Sequence, residues 1–192
     1  MQVSLFRNGI TQTSEPENFE VLQILNSIKT PSTDVVKKKV EKLRTIENKK
    51  EKSAFKKTFP YVTFSGTFTK RDASSIIKHS GLICIDFDDV ENLNETFEQL
   101  KTESYIFSMF ISPSGTGLKV LIKIRTEKHL ESFLELEKYF IENYNLVADK
   151  SGKDVCRACF LTYDQNIYIN ENARLFDIED FYKVDTDTGE IT

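Results

Sequence analysis

Leu82-Ile83-Cys84-Ile85-Asp86-Phe87-Asp88 is an apolar run that closes on two aspartates one residue apart. Four apolar residues in succession, two of them β-branched, read as a strand buried on both faces. Side chains at i and i+2 share a face of a strand, so Asp86 and Asp88 project together while Phe87 packs on the other side. Carboxylates held side by side at the end of a buried strand repel each other. A cation, a shared proton or water relieves the repulsion. A hard divalent ion, Mg²⁺ or Mn²⁺, suits oxygen donors of this kind. Asp86, Asp88 and Asp89 read equally as a solvated turn leading from the strand into a helix.

Outward from this run the pattern is mixed α/β. Gln2 to Arg7 alternates as a strand, and Phe19 to Ile28 repeats apolar residues at helical spacing. Thr33 is placed to cap a second, basic helix that runs to about Ile46. Tyr61 to Phe68 reads as a strand interrupted by Gly66, and Asp72 to His79 as a short helix. Asn94 to Leu100 is a helix. Tyr105 to Ile111 and Leu118 to Ile124 are strands joined by a Pro/Gly loop, and Lys128 to Tyr144 is an amphipathic helix. Val155 to Tyr163 and Ile167 to Ile169 close the pattern as late strands.

With 192 residues, 39% hydrophobic and 29% charged, the chain has enough apolar content for a core. No apolar run approaches the roughly 20 residues of a membrane span. The opening MQVSLFRNGITQ lacks a secretory apolar region, and three cysteines point to a reducing cytoplasm. The net charge of −4 conceals a division along the chain. Between Lys37 and Lys57 ten basic residues face three acidic ones, whereas the tail from Glu171 is acidic. The basic stretch reads either as a solvated helix face with a lysine-rich linker or as a surface that tracks nucleic-acid phosphates. In the second reading Lys37, Lys38, Lys49 and Lys50 are the contacts. We expect residues 1–58 to pack on a core of residues 59–183, with 184–192 as an acidic tail or linker.

Two further constellations carry chemistry. The loop Ser112-Pro113-Ser114-Gly115-Thr116-Gly117 follows a strand and precedes Lys119. Such a loop either converges backbone N–H groups on an anion or is a plain hairpin turn. Farther on, Asp149 is placed to complete a carboxylate cluster, and Arg157, read as opening a strand, to fork onto a phosphate. Both read equally as surface-loop residues. Cys156 and Cys159 form a CxxC without a second pair or a suitably spaced histidine, so they read as small strand residues rather than zinc ligands. His79 reads as a helix-end residue. The sequence has no Walker loop and no Ser-His-Asp or Cys-His pairing.

Taken in order, FPYVTFSGTFTKRD (59–72), HSGLICIDFDD (79–89), FISPSGTGLKVLIKI (110–124) and DVCRACFLTYDQNIYIN (154–170) resemble the N-terminal domain family of virulence-associated protein E. That family occurs in proteins of Bacteroidetes and mobile elements, and it is similar in turn to the archaeo-eukaryotic primase, or primase-polymerase, superfamily. The resemblance implies a primase-like α/β (α+β) fold with a largely antiparallel sheet flanked by helices. By position, Asp86 and Asp88 match the metal-binding pair, Ser114, Gly115 and Gly117 the loop, and Arg157 the late basic residue. Asp149 is the candidate third acid, with Asp154 as the alternative. Lys119 stands where the superfamily has histidine. The implied activity is nucleotidyl transfer to a 3′-hydroxyl in DNA replication. Two Mg²⁺ or Mn²⁺ ions would sit on Asp86, Asp88 and Asp149, and Lys119 and Arg157 on the nucleoside triphosphate. The implied partners are single-stranded or primed DNA and a helicase, separate or fused. The alternatives are a catalytically silent nucleic-acid-binding module and a nucleotide-sensing domain.

Overall fold

A computed structural model of the chain describes residues 1–181; the expected tail, 184–192, and the last two residues of the expected core lie outside them. The chain starts with β1 (Gln2–Phe6), β2 (Glu17–Glu20) and α1 (Val21–Lys29). Val21, Ile24, Leu25 and Ile28 are the buried stripe of α1, while Phe19 belongs to β2 rather than to the helix. The basic segment folds as two helices, α2 (Val35–Thr45) and α3 (Lys49–Lys56). Asp34, not Thr33, occupies the N-cap of α2. The expected lysine-rich linker is helical because the Asn48 side chain accepts from the Lys50 and Glu51 N–H groups and so starts α3.

β3 (Tyr61–Thr63) and β4 (Gly66–Phe68) are separate strands, in different sheets. The helix expected from Asp72 to His79 is replaced by one 3₁₀ turn, Ala73–Ser75, and by β5 (Ile76–His79), which pairs with β4. The adjacent β-branched Ile76 and Ile77 favour this outcome once a partner strand is at hand.

β6 (Leu82–Phe87) has every residue buried. It is followed by α4 (Leu93–Leu100), β7 (Ile106–Ile111), β8 (Leu118–Ile124) and α5 (His129–Tyr144). The late strands are short: β9 (Cys159–Phe160), β10 (Tyr168–Ile169) and β11 (Leu175–Phe176). The strand expected from Val155 begins only at Cys159, because the chain turns first, with the Arg157 N–H donating to the Asp154 carbonyl.

β8 lies at the centre of the larger sheet, antiparallel to β6 and β7 and parallel only to β11; β10 extends the β7 side. A second, antiparallel sheet has the order β2-β1-β3-β9. The architecture is thus α/β with largely antiparallel sheets and flanking helices, as the sequence led us to expect.

The period of two along β6 separates two cores. Leu82 and Cys84 join Val3, Leu5, Leu25 and Val62 in one, whereas Ile83, Ile85 and Phe87 join Phe97, Phe133, Leu136 and Phe140 in the other. Residues of the first 58 therefore share a core with the central strands. Burial on this scale, at about 25 cal/mol per Å² of apolar surface, is what fixes the strand. Asp86 continues the Leu82–Cys84 face and arrives buried at the strand's end.

Candidate active site

The strand register places Asp86 directly across from Lys119. The Lys119 ammonium pairs with the Asp86 carboxylate, and both side chains are about 5% exposed or less. Asp149 reaches the same place from the loop after α5, and its backbone N–H donates to the Asp86 carbonyl at 2.8 Å. Its side chain caps the 3₁₀ turn Lys150–Lys153 by accepting from the Ser151 N–H at 2.9 Å. Gly152 in that turn lies against the Phe133 ring of α5, so that a side chain there would force the ring or the turn to shift. Arg157 donates through Nη2 to Asp86 and, at 3.0 Å, to Asp149.

Asp88 follows Asp86 by two residues and is exposed. Carboxylate oxygens of Asp86, Asp88 and Asp149 lie within 4.8 Å of one another, in a cluster that runs from buried to open. Asp86 Oδ1 is buried and unpartnered. A buried carboxylate oxygen without a donor is costly unless something electropositive approaches it, and three converging carboxylates fit a hard divalent cation. The residues present therefore fit a Mg²⁺ or Mn²⁺ ion. Asp154, the alternative third acid, is turned into its own loop and accepts from the Cys156 N–H and thiol.

The charges are arranged against burial. Desolvation works against the Lys119 ammonium, but Asp86, helped by Cys159 and Cys84, more than restores it, so its pKa is raised. Burial likewise opposes Arg157, and the Asp86 charge overrides it. Burial pushes the Asp149 carboxyl up, yet the Ser151 N–H and Arg157 bring it below its ordinary value. Lys56, at the end of α3, is lowered, first by burial and then by repulsion from Lys119, with Asp86 and Asp88 acting in the other direction.

The loop between β7 and β8 is a closed hairpin connection rather than an open cradle. The Gly115 N–H donates to the Ser112 carbonyl, and the Gly117 N–H to the Ser112 hydroxyl. The glycines answer to sterics. Gly115 has φ +82° and lies against the Arg44 guanidinium, and a side chain at Gly117 would strike the Phe87 carbonyl. The loop is tied to the acidic turn, with the Thr116 hydroxyl donating to Asp89 at 2.9 Å and the Val90 N–H to the Thr116 carbonyl at 2.8 Å. The Ser114 hydroxyl lies 2.9 Å from that of Ser112.

Asp86, Asp88, Asp149, Lys119 and Arg157 thus come together, and the loop carrying Ser114, Gly115 and Gly117 braces the turn beside them. Lys38, Lys49 and Lys50 are exposed on the basic helices, and the Lys37 ammonium lies 5.1 Å from the Tyr163 ring centre. Cys159 is buried on β9, while Cys156 sits in the turn before it. His79 ends β5 and faces His129.

Sequence reasoning missed four supporting residues. Arg44 of α2 donates to the Pro113 carbonyl at 3.3 Å and so steadies the loop. Asp164 accepts from the Ile111 N–H at 2.8 Å and fixes the end of β7. Lys56 lies in the basic run, where nothing distinguishes one lysine from another. Arg71 lies in the TKRD segment, where the only signal is its charge.

The BT4734-like, N-terminal domain family model matches residues 54–169. The chain belongs to that family. The match takes in Asp86 of β6, Asp88 just after it, the glycine loop, Asp149 and Arg157, and begins inside α3. No curated protein matches the sequence. In backbone course the chain is similar to the crystal structure of primase RepB′, with a TM-score of 0.39 and 14% identity. The overlap covers 91% of this chain and 52% of the other, so this chain spans about half the primase's length. A likeness that loose carries no argument about activity. Among the described residues no helix is long and apolar enough to cross a membrane.

Proposed function

We propose that this domain is a divalent-metal-dependent nucleotidyltransferase module of the primase-polymerase kind. In this reading it belongs to a mobile-element or phage replication protein of the virulence-associated protein E type. The observation that carries the reading is the convergence of Asp86, Asp88 and Asp149 with Asp86 Oδ1 buried and unpartnered. These three residues would hold Mg²⁺ or Mn²⁺, which when bound lowers the pKa of a 3′-hydroxyl and offsets the charge on departing pyrophosphate.

The protein's own groups do the rest. Arg157 and the Ser151 N–H keep Asp149 ionised and therefore able to act as a ligand. Lys119 and Arg157 balance Asp86 in the ligand-free protein and offer their charge to phosphate oxygens when the carboxylates are otherwise engaged. Ser114, Gly115 and Gly117 border the nucleotide through a loop that packs against the strand end. Lys37, Lys38, Lys49 and Lys50 guide the template strand. In the transfer, the 3′-oxygen bonds to the α-phosphorus as the bond to the bridging oxygen breaks, and the hydroxyl proton passes to solvent.

Extension of a labelled primer with Mn²⁺ and deoxynucleoside triphosphates tests the reading. Wild-type protein should add nucleotides, and Asp88→Asn and Asp149→Asn should not. A wild-type protein that adds none under these conditions refutes catalysis. One observation favours a second reading, a catalytically silent module that binds nucleic acid: two internal cations already sit on Asp86. That reading requires single-strand binding without incorporation.

A further inference from the structure

A cleft of about 550 Å³ lies beside Arg157, lined by residues of α3, of the segment before β5 and of the turn that carries Ser151 and Asp154. Its size is that of a small-molecule site, which typically spans roughly 300–1,000 Å³. Lys56, Lys57, Arg71 and Arg157 line it against a single carboxylate, Asp154. That carboxylate already accepts from the Cys156 N–H at 3.0 Å and the Cys156 thiol at 3.2 Å. The cleft therefore presents a surplus of positive charge with its one acid partly engaged.

Two guanidinium groups there have donors to spare. Arg157 uses Nη2 on Asp86 and Asp149, and its Nη1 is buried without a partner. Arg71 Nε is also buried without a partner. Arg71 is held in place, with its backbone N–H donating to the Thr13 carbonyl at 2.7 Å and its guanidinium 5.2 Å from the Tyr61 ring centre. Buried N–H donors left unsatisfied cost about 1–3 kcal/mol each, so two of them on residues that line one cleft mark a place where an acceptor belongs. Forked guanidinium donors match phosphate oxygens in shape and charge.

We infer that this cleft is a polyphosphate-binding site, with Arg71 and Lys56 as its anchors and Arg157 joining it to the carboxylate cluster. This deepens the nucleotidyl-transfer reading and rests on it for the identity of the ligand, the triphosphate tail of a nucleotide. The same phosphate chemistry occurs in the backbone of a nucleic-acid strand, which the test separates.

The probe is inorganic tripolyphosphate, titrated calorimetrically into the full chain at low salt with chelator present. A parallel titration uses a short single-stranded oligonucleotide. Removing one charge-assisted hydrogen bond is expected to weaken tripolyphosphate binding about tenfold or more. Arg71→Gln and Lys56→Gln should each show that weakening. Lys101→Gln, which removes a lysine paired with Glu98, should not. Lys56→Gln removes an ammonium that lies 5.8 Å from the Phe160 ring centre at the end of α3, and it reads the site even if Arg71→Gln unfolds on a melting curve. Absent tripolyphosphate binding, or binding unmoved by either variant, overturns the inference. So does a dependence on Arg71 and Lys56 seen for the oligonucleotide alone. If both variants weaken tripolyphosphate while wild-type protein fails to extend a primer, the cleft stands and the polymerase reading falls. If extension proceeds and the variants bind normally, only the cleft falls.

Discussion

Asp86→Asn isolates the charge on which the interior of the site depends. Asparagine keeps the shape of the side chain and an oxygen for the two buried cations, which share Asp86 Oδ2, but it carries no charge to offset theirs. Lys119 is 5% exposed in its side chain and Arg157 12%, so neither can regain full hydration without moving. Removing one partner of a buried ion pair costs about 3–5 kcal/mol, because the remaining charge stays in low dielectric. Asp149 still accepts from Arg157, which sets the expectation at the lower part of that range. Small domains have only about 5–15 kcal/mol of stability in total. For a chain of this size 1 kcal/mol moves the melting temperature by about 2–4 °C, so the variant should melt roughly 6–12 °C lower. Urea unfolding followed by circular dichroism gives the free energy directly. Asp88→Asn, at an exposed position, should stay within about 0.5 kcal/mol of wild type. The double variant Asp86→Asn/Lys119→Met should recover much of the stability, as expected when coupled neighbours are removed together. An Asp86→Asn protein within about 1 kcal/mol of wild type would refute the claim that Asp86 supports two buried cations.

Because Asp86 also supports the fold, the metal is best sought through its neighbours. Asp88→Asn and Asp149→Asn should each weaken Mn²⁺ binding by more than the roughly tenfold that an outer partner of a ligand is worth, and unchanged calorimetric titrations would remove them from the site. The His79–His129 pair predicts acid sensitivity. Gly81 N–H donates to His79 Nδ1, His79 Nε2 lies 3.2 Å from His129 Nδ1, and His129 Nε2 reaches the Gly152 carbonyl, an arrangement that suits two neutral rings. Burial, then repulsion from His129, lowers His79 from 6.5 to about 4 against the pull of Glu127, and burial lowers His129 against the Gly152 carbonyl and Asp154. Depressed histidines stabilise the fold above their ordinary pKa and lose that contribution as pH falls, so melting temperature should drop between pH 6.5 and 4. His79→Gln/His129→Gln should flatten the upper part of that slope, and an unaltered profile would exclude the pair as its source. Reversing Lys37, Lys38, Lys49 and Lys50 to glutamate should weaken single-strand binding and leave Mn²⁺ binding unchanged. The salt slope should fall by about 0.7 for each phosphate that the protein ceases to neutralise. Equal binding by the reversed protein at low salt would remove the basic helices from the nucleic-acid surface.

Much of the sheet was legible because its central strands are unusually apolar. Leu82 to Phe87, Leu118 to Ile124 and the stripe of α5 carry their burial in their composition, and their observed bounds fall within a residue or two of those expected. The failures lie where local pattern and tertiary partner compete. Asp72 to His79 has a helix-like start, with Asp72 capping Ser74, yet Ile76–His79 finds an antiparallel partner in β4 and becomes strand. The lysine-rich stretch after Ile46 looked like linker because charge obscured its helical period. Its folding depends on the cap at Asn48 and on Phe55 packing edge-on against Phe59, a contact set by tertiary structure.

The candidate site was legible as residue types but not as a charge balance. Spacing alone put Asp86 and Asp88 on one face. Register, which no single strand reveals, put Lys119 across from Asp86 and so made the strand's last buried carboxylate an ion-pair partner. With Arg157 added, two cations lie among three carboxylates, and the cluster keeps a residual negative charge that a divalent ion would overcompensate. Binding such an ion with the lysine and arginine still in place would leave an excess of positive charge in a poorly hydrated place. The same excess is what an incoming anion neutralises. Metal and phosphate should therefore bind with positive cooperativity, each removing the other's electrostatic cost. Mn²⁺ titrated into protein saturated with tripolyphosphate, corrected for the complex the two form in solution, should bind more tightly than into protein alone. Equal or weaker binding would mean that Lys119 and Arg157 leave the carboxylates no net demand for an anion.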